Sequence, residues 1–131
     1  MKNYSSDFEA YVYELMMPLK SEINGDLYRN GMRPFNSNKE DIVVAFLTGL
    51  DGQFQQATVN VNIYVPDINF NGRYTKDIGR LATLENALKD YLNSIKTNNY
   101  LISLDMLPVI LEGDANEHFI NCRLNLTYNS L

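Results

Sequence analysis

Cysteine, histidine and tryptophan are nearly missing from this chain: 131 residues hold one Cys, one His and no Trp. A lone Cys122 excludes an intramolecular disulfide and any multi-cysteine zinc site. A Cys-His nucleophile pair would have to be Cys122 with His118. Four residues apart on one strand face, these sit roughly 13 Å from each other, beyond proton-transfer reach. Cations are also scarce: 11 Lys and Arg face 16 Asp and Glu, for a net charge of −5. With no local run of Lys and Arg, direct nucleic-acid binding is not expected. No apolar stretch approaches the roughly 18 residues of a membrane span, and the N-terminus, Met1 to Asp7, has no signal-peptide core. The Asn3-Tyr4-Ser5 and Asn125-Leu126-Thr127 triplets are therefore expected to be coincidental glycosylation matches. The seven glycines form neither a GxGxxG nor a Walker pattern, and the acidic residues do not follow a calcium-loop spacing. No catalytic, cofactor-binding or metal residues are expected.

What is present suits a globular fold: 45% hydrophobic, 11% aromatic and 21% charged residues. A folded chain of this size exposes roughly 7,000 Å² against roughly 22,000 Å² unfolded, enough burial for a core without staples. The expectation is one domain spanning residues 1–131.

Ser6-Asp7-Phe8-Glu9 has the form of a capping box. The following Phe8, Val12, Leu15, Met16 and Leu19 recur at helical spacing, with Pro18 predicted to kink or break the helix before Asn24-Gly25. Asp26 to Arg29 can form a short strand. Residues 32–39 are rich in turn formers. Ile42 to Leu47 reads as a central strand covered on both faces, preceded by Glu40-Asp41, expected to be solvated. A hairpin turn is predicted over Gly49 to Gly52. Ala57, Val59, Val61, Ile63 and Val65 then alternate with Thr58, Asn60, Asn62 and Tyr64, which is strand periodicity ending at Pro66. Asp67 to Tyr74 is expected to be a loop.

The second helix should run from Asp77 to about Ile95, with Ile78, Leu81, Leu84, Leu88, Tyr91 or Leu92, and Ile95 as its stripe. Tyr100 to Leu104 and Met106 to Leu111 suggest one bent or bulged strand, with Pro108 near an edge. A loop over Glu112 to Glu117 leads into a last alternating strand carrying His118, Ile120, Cys122, Leu124 and Leu126. The order α-β-β-β-α-β-β predicts an α+β fold: a mainly antiparallel sheet of about four to five strands packed on two helices.

Contact surface remains. Arg33, Pro34 and Phe35 in one loop, and Phe70, Arg73 and Tyr74 in another, set aromatic and arginine side chains among turn residues, types enriched at contact centres. Folding back of these aromatics onto the core is the competing reading. Asn60, Asn62 and Tyr64 on the polar strand face are a further candidate surface, with plain solvent exposure the favoured reading. Cys122 is expected to be a small buried hydrophobe and His118 a structural or exposed residue.

A helix, Leu27-Tyr28 followed by Arg33-Pro34, Glu40-Asp41-Ile42-Val43-Val44, Val59 to Asp67, a long helix and a closing hairpin together resemble the tail-terminator family of long-tailed phages, small tail-completion proteins. The likeness spans Leu27 to Tyr128. It implies a structural protein of a phage or prophage, made in the host cytoplasm and ending in the virion tail. Its subunits would assemble as a ring, often of six, on the tail tube protein, stop tube growth and meet a neck or head-completion protein. A head-closure or neck adaptor, and a small ligand-binding α+β domain with an apolar pocket, are the alternatives. An enzyme would require a polar cleft gathering His118, Glu117 and Asp114 around a metal.

Overall fold

The computed structural model describes residues 2–131. Strand alternation builds its centre. β3 (Phe54–Pro66) and β8 (Glu117–Asn129) pair antiparallel along their whole lengths, from Phe54 opposite Asn129 to Pro66 opposite Glu117. β2 (Asp41–Leu50) lies on the other side of β3, with a register shift between Phe46 and Thr48. β1 (Leu27–Arg29) adds parallel to β2, because the irregular segment between them carries the chain back to the same end. Beyond β8 lie β6 (Tyr100–Leu104) and β7 (Val109–Glu112), both antiparallel to it and set end to end along its outer side. The sheet is therefore mixed and six-stranded, more than the expected four to five.

One face of this sheet is apolar because every second residue points there. Val59, Val61, Ile63 and Val65 meet Ile120, Cys122, Leu124 and Leu126, each at most 2% exposed. The helices cover that face: α1 (Ser5–Leu15), a 3-10 turn (Met17–Glu22) and α2 (Ile78–Ser94). α1 contributes Phe8 and Val12 to the core, and α2 contributes Leu81, Leu84 and Leu88. The first helix does break near Pro18: α1 ends at Leu15, and Pro18 sits in the opening residues of the 3-10 turn that follows the helix. Ile78 opens α2 but is 69% exposed, so the buried stripe starts one turn later than its periodicity suggests.

Three local expectations are corrected. The cap of α1 is Tyr4, whose amide donates to Asp7 Oδ2 at 2.8 Å. Glu9 instead accepts from Arg29 Nε at 2.9 Å and from the Phe46 amide at 3.2 Å, tying α1 to β1 and β2. Glu40 and Asp41 are buried, at 7% and 1% exposure, because each meets an arginine: Glu40 meets Arg80 of α2, and Asp41 meets Arg33 of the loop just before it. Arg80 of α2 grips Glu40 with Nε at 2.6 Å and Nη2 at 2.9 Å, a two-pronged bond that anchors the helix start to the sheet. Residues 68–75 are a β-hairpin, β4 (Ile68–Phe70) with β5 (Arg73–Thr75).

Candidate assembly surfaces

That hairpin follows from two residues. Asn71 and Gly72 hold φ of 54° and 82°, the left-handed pair of a type I′ turn. The Asn-Gly dipeptide was the available signal, hidden by the polar residues around it. Among the described residues, the two strands pair only with each other. Ile68, Phe70 and Tyr74 are 46%, 67% and 54% exposed, so the arm's aromatics do not fold back onto the core. Arg73 is exposed beside them. At the arm's base the Asp67 amide donates to the Asn116 carbonyl at 2.9 Å, and Asp67 Oδ1 lies 2.7 Å from His118 Nδ1.

The other candidate loop divides. Phe35 is wholly exposed and Pro34 is exposed beside it. Arg33 turns inward: Nε donates to Asp41 Oδ2 at 2.9 Å, Nη2 to Glu117 Oε1 at 3.0 Å, and the guanidinium rests 4.1 Å from the centre of the Tyr64 ring. Burial works against this charge, yet the bonds to Glu117 and Asp41 raise the Arg33 pKa above its ordinary value. Arg33 thus locks the loop to the ends of β2 and β8.

Asn60 and Asn62 lie on the sheet face away from the helices, half-buried. Asn121 Nδ2 donates to Asn62 Oδ1 at 2.7 Å, and Thr58 Oγ1 donates to Asn125 Oδ1 at 2.9 Å. Between these rungs Asn60 faces Arg123, where the Asn60 Oδ1 and Arg123 Nε atoms are shielded from solvent without a hydrogen-bond partner. This face is a ladder of amides more than a plain solvated surface.

A further apolar surface lies where the sequence suggested one bent strand with Pro108 near an edge. β6 and β7 form the sheet's outer edge, and their residues and connecting turn expose Leu101, Leu104, Met106, Leu107, Val109, Ile110 and Leu111 by 37% to 80%. Their density was visible in the sequence; their position at an edge depends on strand order. Between β6, this turn and the C-terminal half of α2 runs a groove of about 600 Å³. Leu88, Leu92, Ile95, Ile102, Leu104, Leu107 and Leu124 line it, with Glu85 and Lys89 as its charged members.

The titratable groups are dispersed. Adjacent strand residues point to opposite faces, so Glu117 engages Arg33 while His118 engages Asp67. Among the described residues, no group of three or more His, Cys, Asp or Glu is arranged to hold a metal ion. Cys122 is fully buried, and burial, with Glu85 adding, pushes its thiol up to about 12. Its thiol is a core group, unlike an activated nucleophile. Among the described residues, no helix is long and apolar enough to cross a membrane. No family model matches the chain, and no curated protein is significantly similar to it.

Proposed function

We propose that this protein is a structural subunit of a phage or prophage tail, similar to a tail terminator, which caps the tail tube as a homo-oligomeric ring and joins it to the head. The supporting observation is the distribution of exposed apolar side chains. They concentrate on the β6–β7 edge and on the β4–β5 arm, two surfaces different in shape and placed on different elements. Contiguous exposed apolar surface of this kind marks protein contacts. Unlike surfaces that meet head to tail generate rings when the rotation closes. Phe35 and the turn joining β2 to β3, with Leu50 69% and Phe54 55% exposed, supply further contacts for a tube or neck partner. The test is co-expression with the neighbouring tail-tube protein, with mass by light scattering and electron microscopy of the tubes. Ring-sized particles and capped tubes are expected. Monomer alone and with tube protein overturns the reading, and capture by the portal-side protein in place of the tube makes it a neck adaptor.

A second reading has one observation in its favour. A groove of about 600 Å³ is of the size that holds a small apolar ligand. Native mass spectrometry of the purified chain separates the two: a stoichiometric bound small molecule favours a ligand-binding domain.

A further inference from the structure

We infer that the sheet face turned away from the helices binds an acidic sugar: its carboxylate on Arg123, a neighbouring hydroxyl on Asn60, and the rest of the ring in a polar hollow beside them. The site is separate from the apolar edge and from the β4–β5 arm, and it stands independently of the tail assignment.

Arg123 is the starting point. Among the described residues, four arginines are partly buried: Arg29, Arg33, Arg80 and Arg123. Three of them meet carboxylates, Arg29 at Glu9, Arg33 at Asp41 and Glu117, and Arg80 at Glu40. The Nε of Arg123 is shielded from solvent with no hydrogen-bond partner, and Asn60 Oδ1 on the same rung is in the same condition. Asp105, in the turn after β6, is held by Asn125 Nδ2 at 3.1 Å. A cation withdrawn from water and left unmatched is costly, and so is a shielded acceptor. The rungs on either side close upon themselves, Asn62 with Asn121 and Thr58 with Asn125, so the gap is confined to this pair. An incoming carboxylate supplies the acceptors that a guanidinium fork takes. A hydroxyl beside it supplies the donor for Asn60.

The hollow selects the rest of the ligand. It has a volume of about 450 Å³ and includes Thr58 and Asn125, the rung next to Arg123. That rung lies about 7 Å along the strands, within the span of one sugar ring. Thr48, Gln56, Ser103 and Thr127 complete its polar lining, and the strand register sets all six on the Arg123 face. Each ends in a hydroxyl or an amide, groups that donate and accept at once, and none of the six carries a charge. Ligand groups that also donate and accept at once are hydroxyls. Leu50, on the same lining, is available to the C–H face of a ring. The face therefore calls for one carboxylate and several hydroxyls close together, and a sugar acid carries both on one small ring.

The test is an NMR titration of the full chain with sodium glucuronate, following the side-chain amides of Asn60 and Asn125 and the Nε–H of Arg123. Glucose and sodium acetate are compared at equal ionic strength. Saturable shifts confined to this face are expected with glucuronate. Glucose lacks the carboxylate and acetate lacks the hydroxyls, so each should bind on the order of tenfold more weakly. Arg123→Gln should lower glucuronate affinity to that of glucose, yet melt at or above the wild-type temperature, because it leaves no paired carboxylate behind. Gln56→Ala alters an exposed position in the hollow, so it should weaken glucuronate severalfold with unchanged melting. Equal affinities for glucuronate and glucose, or for glucuronate and acetate, overturn the proposal. So does the absence of saturable shifts, the outcome if Arg123 and Asn60 simply bond to each other.

Discussion

Replacing Arg33 by methionine isolates the most deeply set charge cluster of the fold. The Arg33, Asp41 and Glu117 side chains are 15%, 1% and 11% exposed, so solvent screens them little. Removing the cation from a buried pair costs about 3–5 kcal/mol, because the partner carboxylates stay behind uncompensated. Asp41 keeps two neutral donors, the Asp26 amide at 3.0 Å and the Ser37 hydroxyl. Glu117 loses both guanidinium bonds, and Tyr64 loses the cation over its ring. The lower end of the range is then appropriate, about 3 kcal/mol. In urea melts this moves the midpoint by about 1–2 M with an unchanged slope. It also lowers Tm by about 10 °C. The loss should stay flat from about pH 6 to 9: a raised arginine pKa gives stability that is complete below the ordinary value and fades only in strong alkali. Lys2→Met, which removes a pair with both side chains more than half exposed, serves as the control and should change nothing measurable. A loss below about 1 kcal/mol for Arg33→Met would refute the claim that this cluster is desolvated.

Three further outcomes are expected. Cys122 should resist thiol reagents in the native state at pH 8 and react fully in denaturant; because its thiol is raised from an ordinary 9.0 to about 12, stability should hold below pH 9 and decline between those values, and rapid native labelling would contradict this. Gly25→Ala places a Cβ 2.1 Å from the Glu40 carbonyl oxygen and 2.1 Å from Asp41 Oδ1. Since backbone cannot yield as a side-chain tip can, a loss of about 1–3 kcal/mol in a thermal melt is expected, and no loss would mean the crossing is looser than described. Leu84→Ala, at a core position only 1% exposed, should cost about 2–5 kcal/mol by chemical denaturation. A change within about 0.5 kcal/mol would show that α2 does not pack on the sheet as described.

Legibility differed from element to element. The alternation of Ala57 to Val65 predicted β3 and its buried face, and the stripe from Leu81 to Leu88 predicted α2, because each pattern is complete within its own segment. Pro18 announced the break after α1 for the same reason. Glu9 and the Glu40-Asp41 pair misled: carboxylates at segment ends look solvated or capping until the arginines from elsewhere are in place. Arg33, chosen as a contact residue by its type, is enclosed by charges that come from β2 and β8. Phe70 and Tyr74, chosen on the same ground, do face solvent.

From the sequence alone came both α-helices, the long strands β2, β3 and β8, the α+β class and the scarcity of groups for nucleophilic chemistry, since periodicity and composition need no knowledge of neighbours; the β4–β5 hairpin and the division of β6 from β7 did not. Strand order, the parallel β1–β2 pair and the partners of the buried charges were decided only when segments far apart in the chain met. The same holds for the two surfaces that matter most. A leucine-rich strand is core or contact depending on whether another strand lies beyond it, and that is a property of the assembled sheet.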